Sequence, residues 1–196
     1  MAFVIDKTSS LGVPNFLLLK GFLLELVAAL NIGPDATHTG IITFNRKPKV
    51  VSNFANSMLY SNEAVHDFLA KISVVLGDRT FTDKALMAAA NKLFTEEGGD
   101  RPDFPNVLIL LTDGRTNPTS KPFSTIIPHL EVRILHSYSF LLFLLAHFYV
   151  LGSADAMRAL QKDLLRVFIT SSQWTKIHQP LADEFIFSNF HLVRLP

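Results

Sequence analysis

The chain has 196 residues, 48% of them hydrophobic, with 18 basic and 17 acidic side chains and no cysteine. That length and apolar content describe one domain with its own core and exclude wholesale disorder. A net charge of +1 gives no composition-level case for nucleic acid or an anionic membrane as partner. The absence of thiols excludes disulfides, thiolate zinc sites, iron–sulfur clusters and cysteine nucleophiles.

The first element is the short apolar run Ala2 to Ile5, which ends at Asp6 and predicts a buried strand running into a polar loop, Lys7 to Pro14. No basic or long apolar leader precedes it. The chain therefore reads as intracellular or as a fragment without its leader, and a start placed directly on a strand favours an incomplete N-terminus. Asn15 to Leu30 carries only Lys20 and Glu25 as charges and predicts a helix buried on most of its circumference. After a turn at Asn31 to Pro34, Gly40–Phe44 and Lys49–Phe54 predict two strands joined by a hairpin-like link. Ser61 is the expected N-cap of a helix reaching about Val75, with Glu63 in its first turn. Thr82 and Asp83 open another helix that runs to about Phe94 and is stopped by Gly98-Gly99. Val107 to Leu111 is the most strand-like run, and it ends at Thr112-Asp113-Gly114. Strands alternating with helices predict an α/β fold with a mostly parallel central sheet, whose functional loops gather at the carboxyl ends of the strands.

Beyond Glu131 the order weakens. Val132-Arg133-Ile134 begins like a strand, and Phe148 to Gly152 reads like the end of the same strand, so residues 135–147 are expected to be an atypical insertion within a single domain spanning 1–196. A helix is expected over Ser153 to about Val167, a late strand at Phe185–Phe187 and a closing helix from Phe190. The apolar stretch from Ile134 to Ala154 is long enough for a bilayer of about 30 Å. It nevertheless contains His136, Ser137, Ser139 and His147, and a span there would split the sheet, so it is read as buried and not as a membrane segment.

Asp6, Thr8 and Ser10 alternate in one loop after a buried strand, Thr80 precedes a helix, and Asp113 ends the most hydrophobic strand. A parallel sheet would bring these three loops to one edge. All five residues offer hard oxygen donors, which suit Mg²⁺, Mn²⁺ or Ca²⁺ and do not select zinc or copper. Two aspartates just neutralise a divalent ion and three hydroxyls add no charge, so the ion stays electrophilic toward a carboxylate from another molecule. Taken singly, each residue is more simply read as a polar strand end or a helix cap, and it is the joint pattern that points to an ion.

Phe3-Val4-Ile5-Asp6-Lys7-Thr8-Ser9-Ser10-Leu11-Gly12 resembles the opening of a von Willebrand factor type A domain. The resemblance continues through Ile32 to Thr37, Gly40 to Phe44 and Gly77 to Leu86, and is strongest at Arg101 to Gly114. These blocks stand in the family's order over residues 1 to about 131 and are most similar to the A domains of matrilins and collagen-associated matrix proteins. The resemblance implies a Rossmann-like three-layer fold and a metal-ion-dependent adhesion site. On that site Thr8 and Ser10 match the hydroxyl ligands of the first loop, Asp6 and Asp113 the aspartates, and Thr80 the threonine that coordinates in the ligand-bound state. Thr8 stands where serine is usual, Ser9 where glycine is common, and Asp78 adds a negative charge near Thr80.

Competing chemistries fail on specific residues. An aspartate-based phosphatase needs a second carboxylate two residues after Asp6, where Thr8 stands. A dinucleotide site needs a glycine-rich first loop, which holds only Gly12. No histidine pair has metal-ligand spacing, and Ser10 has no identifiable histidine partner for a hydrolase triad. The expected function is therefore a non-enzymatic adhesion module. It would hold a divalent cation, magnesium first and manganese or calcium as alternatives, and bind an acidic side chain of a protein partner such as collagen or another matrix protein. The location implied by the resemblance is extracellular. The alternative is an intracellular A domain acting as a scaffold in a multiprotein complex.

Overall fold

Strand β1, Ala2–Asp6, has all five residues buried. It lies between two parallel partners, β2 (Gly40–Phe44) and β4 (Val107–Thr112). The computed structural model describes residues 1–113, 115–134 and 140–145. Strand β3, Pro48–Ser52, runs antiparallel to β2 with a register shift between Ile41 and Ile42. Strand β5, Phe140–Leu145, runs parallel to β4. The order β3-β2-β1-β4-β5 makes a mixed sheet in which only the β3 edge is antiparallel. Strands covered on both faces must be apolar throughout, which is why β1 and β4 read as continuous hydrophobic runs.

The alternation of side chains along the strands sorts the core into two layers. On one face Phe3, Ile5, Ile41, Ile109 and Leu111 pack against helices α1 (Val13–Ala29) and α2 (Asn62–Ala70). On the other, Val4, Ile42, Phe44, Leu108 and Leu110 meet helix α3 (Thr82–Ala88), a π-helical turn (Ala89–Leu93) and helix α4 (Phe123–Ile134). The result is the expected α/β sandwich of helix, sheet and helix.

Several expectations are corrected. Helix α1 begins at Val13 with a proline in its first turn, and Gly12 before it takes φ 75°, a conformation that favours glycine. It buries one face only: Phe16, Leu19, Phe22, Leu23, Leu26 and Val27 are buried, whereas Val13, Leu17 and Leu18 are about half exposed. Apolar composition overstated its burial. Helix α2 is capped by Ser61, whose hydroxyl accepts the Ala64 N–H at 3.2 Å. It stops at Ala70 and not near Val75, because Lys20 Nζ donates to the freed carbonyls of Ala70 and Ile72 and the chain leaves to meet β1. Helix α3 does open at Thr82 with Asp83 in its first turn, as expected, and its capping position is Phe81. Val132–Ile134 lie in α4, not in a strand. Phe123, Ile126 and Leu130 recur at helical spacing and pack on the sheet, a pattern interrupted in the sequence by Pro128.

Residues 140–145, inside the segment expected as an insertion, form β5. The expected elements at 148–152, 153–167, 185–187 and beyond 190 lie outside the described residues. Among the described residues, no helix is long and apolar enough to cross a membrane.

Candidate functional site

The chain moves from β1 to β2 on one side and later returns to place β4 on the other side of β1. Neighbouring connections therefore diverge at the carboxyl ends of β1 and β4, which leaves a crevice at a topological switch point. Asp6 and Asp113 stand at those two ends.

Asp6 is fully buried. Its Oδ1 accepts the backbone N–H of Thr8 at 2.9 Å and the Thr8 hydroxyl at 2.7 Å, and its Oδ2 accepts the Thr112 hydroxyl at 2.7 Å. The Thr8 and Ser10 hydroxyls share a hydrogen bond at 3.0 Å, so a chain of oxygens runs from the buried carboxylate to exposed Ser10. Burial pushes the Asp6 carboxyl up to about 6 against the pull of its three hydrogen bonds, and the negative charge of Asp113 pushes the same way. Among the described residues it forms no ion pair.

The second loop is stitched directly to the first. Ser9 N–H donates to the Gly77 carbonyl at 2.7 Å and Gly77 N–H donates to the Lys7 carbonyl at 2.8 Å. This approach needs a glycine: a Cβ at residue 77 would come within 2.8 Å of the Asn45 Cβ and closer still to its amide. The third loop is tied to the second, because the Asn117 N–H donates to the Thr80 carbonyl at 2.7 Å and the Thr116 hydroxyl reaches the same oxygen at 3.3 Å. The three loops surround an open cleft of about 170 Å³ to which Thr8, Ser10, Thr80 and Asn117 contribute.

The five residues singled out in the sequence are thus placed as follows. Asp6, Thr8 and Ser10 form one hydrogen-bonded string, and Thr80, buried, lines the same cleft as Thr8 and Ser10. Asp113 is not part of the cleft lining. Its charge acts on Asp6, and its Oδ1 accepts the Arg115 N–H at 2.9 Å. Asp78 turns to Arg46, an exposed ion pair that holds its carboxyl below the usual range.

Two participants were not foreseen. Thr112 reads as the last residue of a hydrophobic strand, but side-chain alternation turns its hydroxyl to Asp6 and away from solvent. Asp83 reads as an ordinary first-turn acid. It is buried, its Oδ2 accepts the Lys121 N–H at 3.1 Å and its Oδ1 has no hydrogen-bond partner among the described residues, so it anchors the third loop to the start of α3.

The donor set fits a hard divalent cation. A buried carboxylate with no ion-pair partner among the described residues, beside a second carboxylate and a string of hydroxyls, is a costly arrangement unless positive charge arrives from outside. Among the described residues no group of three or more His, Asp or Glu side chains could hold a metal by itself. Two carboxylates with hydroxyls would therefore be the ligand set.

The von Willebrand factor type A domain model matches residues 1–179. The chain is 31% identical over 123 residues to von Willebrand factor A domain-containing protein 1 of Mus musculus, covering 62% of this chain and 29% of that protein. It is 28% identical over 118 residues to Matrilin-2 of Mus musculus, covering 59% and 12%. It is 31% identical over 112 residues to the Collagen alpha-5(VI) chain of Homo sapiens, covering 57% and 4%. The chain therefore spans less than a third of the length of these relatives. Among solved structures, proximal thread matrix protein 1 of the mussel byssus, with zinc in its MIDAS motif, superposes with a TM-score of 0.61 at 20% identity, covering 72% of this chain and 36% of that one.

Proposed function

Since the chain belongs to the von Willebrand factor type A domain family, we propose that it is a non-enzymatic adhesion module that holds a divalent cation at Asp6, Thr8, Ser10, Thr80 and Asp113. Its partner is a protein presenting an acidic side chain, in the extracellular matrix. The observation that carries this reading is the Asp6 carboxylate, buried without an ion pair among the described residues and joined through Thr8 to Ser10 at the mouth of the cleft.

Each residue has a distinct task. Asp6 supplies fixed negative charge from below, and Thr8 and Thr112 hold its two oxygens in place. Ser10 and Thr80 present neutral oxygens from different loops, so the ligands close only when those loops are in register. Asp113 brings the second negative charge from the neighbouring strand. When bound, the ion supplies Lewis acidity toward a carboxylate of the partner. Magnesium is the first expectation for an all-oxygen set, with manganese and calcium as alternatives. The zinc of the mussel neighbour adds zinc to the ions worth offering. Matrix relatives such as Matrilin-2 and the collagen VI chain support the extracellular assignment over an intracellular scaffold.

Calorimetric titration of Mg²⁺, Mn²⁺, Ca²⁺ and Zn²⁺ into the wild type and Asp6→Ala tests the site. Binding by the wild type and none by the variant is expected. Immobilised collagen and matrix extracts, with magnesium or chelator, test the partner class, and equal retention in both conditions would overturn the adhesion mechanism.

A further inference from the structure

Lys7 lies between two of the proposed ligands, Asp6 and Thr8, on the sheet face that α1 and α2 cover. In the ladder Ile5 pairs with Thr43 and Thr43 with Lys49, so Lys49 belongs to that same face and lies at the same end of the sheet. Lys7 Nζ donates to the Ser73 hydroxyl at 3.0 Å, and Lys20 Nζ, from α1, donates to the carbonyls of Ala70 and Ile72. Exposed Lys71 lies inside that stretch. Lysines from the loop after β1, from α1, from β3 and from the end of α2 therefore share this end of the α1–α2 face.

Asp78 is paired with Arg46, and Asp67 contacts His66. None of the four lysines forms an ion pair among the described residues.

We propose that the partner of the ion site is an acidic protein segment: one carboxylate faces the cleft and further carboxylates lie against the Lys7, Lys20, Lys49 and Lys71 patch. This rests on the metal-site reading and narrows its ligand class. A patch that begins at Lys7, between two of the proposed ligands, favours a peptide that carries several carboxylates. The near-neutral total charge of the chain hides this local field, which would steer an anionic segment and strengthen its attachment at low ionic strength.

The test uses two labelled synthetic peptides, one with a single glutamate among neutral residues and one with four more glutamates beside it. Their binding is read by fluorescence anisotropy with magnesium or chelator, in low and high salt. The variants are Lys49→Glu/Lys71→Glu and the charge-keeping Lys49→Arg/Lys71→Arg, both at exposed positions outside the ligand set. In magnesium and low salt the glutamate-rich peptide should bind the wild type roughly tenfold tighter. High salt and the Glu variant should remove that advantage, and the Arg variant should keep it. Magnesium affinity by calorimetry should be the same in all three proteins. Equal binding of the two peptides to the wild type, or an undiminished advantage in the Glu variant, overturns the proposal while leaving the ion site standing. An advantage that persists in chelator, with a sulfated oligosaccharide competing equally well, overturns it in favour of a general polyanion surface. Absence of any magnesium heat in the wild type is the separate failure of the site reading itself.

Discussion

Replacing Asp6 by asparagine should make the metal-free protein more stable and the metal-supplemented protein unresponsive. The asparagine Oδ1 can accept both Thr8 donors, and its amide can donate to the Thr112 oxygen, so the hydrogen-bonded frame around Asp6 is preserved. What disappears is a buried negative charge facing Asp113. The Asp6 carboxyl is raised from 3.8 to about 6 in the folded state, so the native protein holds this proton more tightly than the unfolded chain. The corresponding stability is fully present below pH 3.8 and is lost as pH rises through 6. A displacement of about two pH units at about 1.4 kcal/mol each makes that loss about 3 kcal/mol by pH 7.5. Urea denaturation in chelator across pH 4 to 7.5 should therefore show the wild type weakening by that order through this window, with the Asn variant flatter. Saturating magnesium should recover about 3 kcal/mol for the wild type at a hundred times its dissociation constant, and nothing for the variant. An Asn variant less stable than the wild type at pH 7.5 in chelator, or one still stabilised by magnesium, would refute the reasoning.

The other expectations concern the frame around that carboxylate. Thr112→Val removes the hydroxyl donor to Asp6 Oδ2 and should cost about 1.5–3 kcal/mol at pH 7.5 in chelator, and less at pH 5, by urea denaturation. An equal cost at both pH values would mean that the hydroxyl does not serve the charged form. Gly77→Ala drives a methyl into Asn45 and should cost about 1–3 kcal/mol. It should also weaken magnesium binding by calorimetry through the displaced loop, and unchanged affinity would separate that loop from the site. Asp83→Ala frees the Lys121 amide from its anchor; amide hydrogen exchange should accelerate around residues 115–121 and stay unchanged in β1. Ser61→Ala removes the α2 cap, far from the cleft. It should cost about 1 kcal/mol of thermal stability with magnesium affinity intact.

The parts of the fold legible in the sequence were those where burial alone dictates residue type. β1, β2 and β4 are covered on both faces, so their residues had to be apolar and their ends polar, and their bounds could be read almost directly. Helix ends were legible where a local side chain sets them, as at Ser61, and illegible where a distant one does: the stop of α2 depends on Lys20, 50 residues away. The outer face of α1 misled because Leu17 and Leu18 have the composition of a core without its burial. Pro128 masked the helical spacing of α4, since a proline in a helix interior normally argues against one.

The candidate site divides the same way. Asp6, Thr8 and Ser10 were visible because three ligands two residues apart in one loop form a local pattern, and the structure joins them by direct hydrogen bonds. Thr80 and Asp113 could be nominated only as loop residues after the right elements; what brings them near is the strand order and the backbone bonds among Gly77, Thr80 and Asn117. Thr112 was invisible, because a threonine at the end of a β-strand is favoured by propensity alone, and only the pairing of β4 with β1 gives its hydroxyl a carboxylate to meet. The same logic separates total from local charge. A sum of +1 says nothing of where the charges lie: the fold places the buried Asp6 carboxylate at the end of β1, and lysines share the same end of the α1–α2 face. On the proposed reading, a partner that meets both would bring carboxylates, with a cation completing the pocket between them.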